Sequence, residues 1–304
     1  MNTFPLVYAV ILNFNSADDT INCIESIKKI TYPNIKIAVV DNNSTDNSVE
    51  LLNGPDIDYK LILSKDNLGY AKGNNIGIKF ALENDAEYIC ILNSDVEVEE
   101  NFLEPIIKFL SGNIEAGIAG PCICSFENKA VVQSLGAYIN LFTGLAMGRN
   151  KGSLYSSINE KVIDVDYLGG ACFVCKREVI EKIGLIPENY FLFYEETEFC
   201  LNAKRKGYSL KCITESKVYH KGSATISKYS GLSYYFLNRN RIVFMRRNAN
   251  IFHKIIFALY IPVETVGRIL FRKESFELFR YYIDGLIGDK DNIDFEKVKF
   301  FMKK

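Results

Sequence analysis

The chain carries no excess of either charge sign: 36 Lys and Arg stand against 37 Asp and Glu, a formal balance of −1. That excludes a nucleic-acid binder, which needs a basic surplus, and equally a solvating acidic chain. The first residues, Met1-Asn2-Thr3-Phe4-Pro5, hold no basic stretch followed by an apolar core. A secretory signal is therefore not expected, and a cytoplasmic protein is. Long apolar runs are missing too. The uncharged run Ile255 to Val263 falls far short of the ~20 residues of a spanning helix, and Pro262, Glu264 and Arg268 interrupt it and its continuation. There is no G-x-G-x-x-G loop either. Gly69, Gly73 and Gly77 are spaced G-x-x-x-G-x-x-x-G and follow a third strand rather than a first, which excludes a nicotinamide-binding turn.

Cysteine, by contrast, is present eight times. Cys122 and Cys124 would share one face of a strand, whereas Cys172 and Cys175 would point to opposite faces. A shared zinc site is thereby disfavoured against small buried thiols in a reducing compartment. With 48% hydrophobic residues over 304 positions, a sizeable core is expected.

The chain is organised around Tyr88 to Leu92, an apolar run ending abruptly in Asn93-Ser94-Asp95, which reads as a strand buried on both faces. Earlier strands are expected at Val7 to Leu12, Ile35 to Val40 and Tyr59 to Leu63. A helix with the S-x-x-D capping pattern follows Ser16, and another runs from the Asn67 to Gly77 stretch to about Asn84. Strands alternating with helices imply right-handed crossovers and a mostly parallel α/β sheet covered on both faces. In such sheets ligands bind beyond the carboxyl ends of the strands. That edge gathers Phe14, Asn15, Asp41 and Asp95. An aromatic there can stack on a base, Asp41 can accept from a base N–H, and Asp95 can hold a hard cation on a diphosphate. The plainer alternative for Asn93 to Asp95 is a cap on a helix whose first turn carries Glu97, Glu99 and Glu100. Asp46 reads as a helix cap. Further on, Glu195, Glu196 and Glu198 open a helix over Glu195 to Lys206, where carboxylates favour the helix dipole or can act as a base.

The stretches Asn13-Phe14-Asn15, Val40 to Ser44, Asn67 to Asn74, Leu92 to Asp95, Leu168 to Ala171, Phe191 to Cys200 and Val218 to His220 occur in an order that resembles family 2 glycosyltransferases. The likeness is to their rhamnosyltransferase-like branch and covers about Val7 to Arg247. It implies a GT-A fold, a nucleotide-diphosphate sugar donor (UDP- or dTDP-sugar), a divalent metal (Mn²⁺ or Mg²⁺) and inversion at the anomeric carbon. By the resemblance, the donor is held by Phe14, Asn15, Asp41, Asn43, Asn67, Gly69, Asn74, Asn93 and Asp95. The metal goes to Asp95 with His220, while Gly169, Gly170, Ala171 and Glu198 line the acceptor side. Glu196 aligns with the general base, and Glu195 is the other candidate. The family usually has Glu-Asp-x-Asp where this chain has Glu195-Glu196-Thr197-Glu198, and the added methylene displaces a carboxylate by about an ångström, enough to matter for proton transfer. For Lys221 and Ser223, a phosphate contact and a plain solvated loop fit equally well.

From Gly231 the composition turns aromatic and basic, with Tyr234, Tyr235, Phe236, Arg239, Arg241, Arg246 and Arg247. Both an interfacial membrane helix and a helical pair packed on the domain fit this mixture. Lys290 to Lys304 reads as a short exposed helix. The expected organisation is a catalytic unit over 1–230, with a donor half to about 120 and an acceptor half after it, then a helical extension over 231–304. The acceptor would be a glycan or a lipid-linked sugar. A nucleotidyltransferase is disfavoured because Asn13 to Asp19 contains neither Gly nor Lys to bind a triphosphate. A non-catalytic sugar-nucleotide-binding scaffold is the rival from another class.

Overall fold

The computed structural model describes residues 4–55, 57–169, 171–222 and 230–287. Gly170, Ser223 and the Lys290 to Lys304 tail lie outside the described residues.

The first half alternates as the hydrophobic pattern requires: β1 (Val7–Asn13), α1 (Ala17–Ile27), β2 (Ile35–Asp41), α2 (Ser48–Leu52), β3 (Lys60–Leu63), α3 (Gly69–Glu83) and β4 (Tyr88–Asn93). These four strands are parallel, in the order β4-β1-β2-β3. Side chains alternate across them. In β1, Val7, Ala9 and Ile11 enter one core and Tyr8 and Val10 the other; in β4, Tyr88, Cys90 and Leu92 oppose Ile89 and Ile91. Both faces are covered, which is why these strands read as unbroken apolar runs. The three glycines of α3 have a packing role. A Cβ at Gly73 would stand 2.5 Å from Leu12, and one at Gly77 would overlap Val10, so α3 lies directly on the strands.

The second half adds β5 (Val96–Val98), α4 (Leu103–Gly112), β6 (Ala116–Ser125), β7 (Val132–Ser134), β8 (Ala137–Asn140), β9 (Leu145–Gly148), β10 (Val162–Val165), β11 (Cys172–Lys176), α5 (Arg177–Ile183), α6 (Glu195–Arg205) and β12 (Ser209–His220). The sheet extends in the order β10-β12-β6-β11-β4, with β11 antiparallel between β4 and β6 and with β5 antiparallel to the end of β12. β8 and β9 form a separate hairpin. Glu97, Glu99 and Glu100 therefore do not open a helix. Asn93 ends β4, Ser94 and Asp95 turn into β5, and α4 begins only at Leu103. Nor does Ser16 close a capping box: it stands at the N-cap without a side-chain cap bond. Asp46 does accept from the Ser48 amide at 2.9 Å, at the start of α2.

The chain then runs through α7 (Ser230–Asn248), α8 (Ile251–Arg272) and α9 (Glu277–Ile287). A third core lies between α7, α9 and the Tyr190 to Tyr194 stretch. Of the arginines of α7, Arg239 and Arg241 are buried, the half-buried Arg246 reaches the Gly285 carbonyl, and the exposed Arg247 pairs with Glu198. All eight cysteines are buried, with Cys172 in one core and Cys175 in the other. Among the described residues no helix is long and apolar enough to cross a membrane.

Candidate functional site

The ends of β1, β2 and β4 converge on one edge. Asp41 terminates β2 with its carboxylate buried. Oδ1 accepts from Asn13 Nδ2 at 2.7 Å and Ser44 Oγ at 2.6 Å, and Oδ2 accepts from the Ser44 amide at 2.9 Å. Among the described residues Oδ2 takes that one hydrogen bond, fewer than a carboxylate oxygen can accept. Asn13 is itself held by Thr20 and Ser16, so the β1 loop and the β2 loop form one network. Asn15 adopts a left-handed backbone (φ 52°), which Asn tolerates, and trades bonds with Ser44 and Thr45. Phe14 is half-buried beside it and Asn43 is exposed.

Asn67 receives Asn42 Nδ2 and the Gly69 amide, both at 3.0 Å. Gly69 has φ 77°, and a Cβ there would meet the Phe191 carbonyl at 2.5 Å, while the Tyr70 amide donates to that carbonyl at 2.8 Å. Asn74 is different: it is fully buried, donating to the Tyr70 carbonyl within its own helix, and its Oδ1 has no hydrogen-bond partner among the described residues.

Asp95 and His220 meet through strand pairing. β5 pairs with β12 so that His220 stands opposite Val96, and Nε2 lies 3.2 Å from Asp95 Oδ1. The other ring nitrogen, Nδ1, lies 2.7 Å from the amide oxygen of Gln133 on β7. The imidazole thus bridges the Gln133 amide and the Asp95 carboxylate through its two ring nitrogens. Ser94 Oγ is 3.2 Å from Ser16, and the Lys221 amide donates to the Asp95 carbonyl. The Lys221 ammonium pairs with Asp19 at 2.6 Å, a bond that raises its pKa. The Asn93 amide donates to the Ala171 carbonyl, joining this strand end to the Leu168 to Ala171 loop.

Glu195 and Glu196 start α6 and are both buried. Burial first, and then the neighbouring Glu196 charge, push the Glu195 carboxyl well above its ordinary range. Tyr70 hydrogen-bonds Glu196, and its phenol is pushed up by burial and by that carboxylate, so it acts as a donor. The Leu168 backbone bonds the Cys200 thiol and Gly169 lies beside Tyr167, which sets this loop against α6. Glu198 is not brought to this group. Its carboxylate takes Arg247 through two nitrogens, Asn248 Nδ2 at 2.6 Å and the Tyr190 hydroxyl at 2.5 Å. Burial raises its pKa, but those hydrogen bonds outweigh it and hold the group below the ordinary carboxylate range. The residue expected on the acceptor side thus ties α6 to α7.

Three contributors escaped the sequence reading. Tyr70 sits inside a recognised stretch but carries no mark of pairing with Glu196. Ser44 reads as an ordinary turn residue. Gln133 lies in a segment without any signal and is found only through β7.

Comparison with known proteins gives this arrangement a family. The family model "Glycosyl transferase family 2" matches residues 8–184. The hexosyltransferase Agl10 of low-salt glycan biosynthesis in Haloferax volcanii is 27% identical, covering 87% of this chain and 85% of its own. The dTDP-rhamnosyl transferase RfbF of Shigella flexneri is 24% identical over 93% of this chain and 96% of its own. Among solved structures, the mannosyltransferase PcManGT of Pyrobaculum calidifontis, in complex with GDP-Man and Mn²⁺, superposes with a TM-score of 0.57 at 13% identity, covering 99% of this chain and 86% of that one. A mixed sheet with this order, helices on both faces and a polar edge at the strand ends defines a glycosyltransferase of the GT-A fold. The chain belongs to glycosyl transferase family 2, in keeping with its likeness to the rhamnosyltransferase-like branch.

Proposed function

We propose that the protein transfers a sugar, with inversion, from a nucleotide-diphosphate donor to a hydroxyl of a glycan or lipid-linked acceptor in cell-surface polysaccharide synthesis, at the cytoplasmic face of the membrane. The observation that carries this reading is the pairing of β5 with β12, which joins His220 to Asp95 at the strand edge; the buried acidic start of α6, bonded to Tyr70 at the start of α3, supports it. A relative named for dTDP-rhamnosyl transfer supports the dTDP-sugar among the UDP- and dTDP-sugar candidates.

In this reading the base stacks on Phe14 and donates to Oδ2 of Asp41. Asn15, Asn43 and Asn67 close around the nucleoside, Gly69 lets α3 approach, and Asn93 and Asp95 face the diphosphate. Asp95 and His220 would hold Mn²⁺ or Mg²⁺. Their 3.2 Å separation would let both contact one hard cation; among the described residues no group of three or more ligating side chains gathers, so the protein would supply only part of its shell. Such an ion supplies charge neutralisation for the departing diphosphate. Glu196, oriented by Tyr70, takes the proton of the acceptor hydroxyl. That oxygen bonds to the anomeric carbon from the side opposite the leaving group, and the bond to the diphosphate breaks with its electron pair. Burial and the neighbouring Glu196 charge favour the protonated form of Glu195, and the base role goes to Glu196 because Tyr70 hydrogen-bonds it.

The test is release of nucleoside diphosphate from a panel of UDP-, GDP- and dTDP-sugars with Mn²⁺, comparing wild type with Asp95→Ala. Slow turnover of one donor that falls at least about 100-fold in the variant is expected. If every donor binds in calorimetry yet none is turned over with or without acceptor, the scaffold reading takes its place.

A further inference from the structure

We propose that the outer surface of α8 and α9 docks on an anionic lipid bilayer, lying in its interface without crossing it. Of the 22 residues in α8 only Phe257 and Thr265 are buried. Ile251, Ile255, Leu259, Val263, Val266 and Leu270 recur every three or four positions along one face, and all are exposed, Leu259 and Val263 by more than 70%. α9 repeats the pattern on Phe279, Ile283 and Leu286, with exposed Phe276 just before it and with Leu278, Tyr281 and Tyr282 turned inward. An apolar row of this length, left in water, marks an interaction surface.

The charges identify the partner. The half-buried carboxylates here are engaged by the protein: Glu264 pairs with Arg241, Glu274 with Arg268, and Asp284 accepts from the Tyr235 hydroxyl. What α8 and α9 expose is Lys254, Arg272, Lys273 and Arg280 against one carboxylate, Glu277. Apolar side chains rimmed by cations match an anionic headgroup layer above acyl chains. They do not match a second copy of this chain, because a two-fold contact would set the cations of both copies against each other.

The inference rests on the lipid-linked reading of the acceptor for its purpose but not for its test, which needs no turnover. The full chain is floated with vesicles of phosphatidylcholine alone and with about one third phosphatidylglycerol. Binding to the anionic vesicles only is expected, weakened at least about tenfold by Leu259→Glu with Val263→Glu and by Lys254→Glu with Arg272→Glu. These positions are exposed, so unfolding midpoints should not move. Absence of binding, or binding indifferent to both pairs of changes, overturns the proposal. So does a concentration-dependent dimer dispersed by Leu259→Glu, which would give the face to a second copy. Vesicle binding by a protein that turns over no donor would keep this inference and sink the transferase reading.

Discussion

Glu196 and Glu198 stand two positions apart on the same helix and do opposite work. Glu196 faces Tyr70, and in the proposed chemistry it exchanges a proton with the acceptor; Glu198 is locked to Arg247, Asn248 and Tyr190. Replacing Glu196 by Gln keeps its shape and removes its basicity, so turnover should fall about 10²- to 10⁴-fold while donor affinity in calorimetry stays the same. Equal loss of affinity and turnover would assign Glu196 to donor binding instead. For Glu198 the expected loss is in stability. Arg247→Met strands a buried carboxylate, and the cost should be about 3 kcal/mol by urea denaturation, the low end for a broken buried pair because Arg247 keeps about a third of its side chain in solvent. Adding Glu198→Gln should restore part of it. The pH sign follows from the lowered pKa: Glu198 stabilises above the unfolded carboxylate value of about 4.3, and that contribution disappears as pH falls through its lower folded value. The advantage of wild type over Glu198→Gln should therefore be full at neutral pH and shrink in acid; a constant difference across pH would show that lost packing, not charge, is responsible.

At the scale of elements, α3 is held against the sheet by what its glycines lack. Gly77→Ala drives a methyl into Val10, a stiff, fully buried β-branched residue, whereas Gly73→Ala meets the mobile end of Leu12. A destabilisation of about 1–3 kcal/mol is expected at Gly77, and less at Gly73, where helix propensity returns up to about 1 kcal/mol. Gly69→Ala should be the worst of the three, since its positive φ and the Phe191 carbonyl both resist a Cβ. Chemical denaturation of the three variants ranks them, and equal effects would mean that α3 simply shifts outward. The sequence discloses these strands well because period-2 burial on two faces leaves continuous apolar runs, so β1, β2 and β4 fall within a residue of their expected ends. β5 was hidden for a physical reason: Val96 to Val98 flanked by Glu97, Glu99 and Glu100 has the composition of a helix start, and only the distant end of β12 makes it a strand. The meeting of Asp95 with His220 became legible through resemblance, whereas Gln133 behind the imidazole had no local signature at all. The arginines of α7 misled in the same way. Basic residues read as surface until Glu198, the Thr143 carbonyl and the Gly285 carbonyl are found facing them.

For the whole molecule, α7 is bound into the α/β body instead of trailing from it. Phe193 and Tyr194, just before Glu195, both have left-handed backbones (φ 68° and 75°), a conformation that bulky residues adopt only under constraint. The constraint comes from α7. Asn240 Nδ2 donates to the Leu192 and Phe193 carbonyls at 2.8 and 3.1 Å, Phe236 stacks on Phe191, and Arg247 with Asn248 anchors Glu198 one turn further on. The same stretch supplies the Phe191 carbonyl that receives the Tyr70 amide, so one helix fixes both partners of the Tyr70–Glu196 bond. A chain ended after Gly222 should accordingly expose the Tyr190 to Tyr194 stretch that α7 covers, unfold at lower urea with a broadened transition, and lose turnover beyond its loss of donor affinity. One ended after Asn248, lacking α8 and α9, keeps those contacts and should retain donor turnover while losing vesicle binding. Comparison of the two truncations by urea melts, donor hydrolysis and flotation separates the roles. If the chain ending at Gly222 melts cooperatively at the wild-type midpoint and turns over donor normally, α7 is an appendage and the strained turn before Glu195 holds itself.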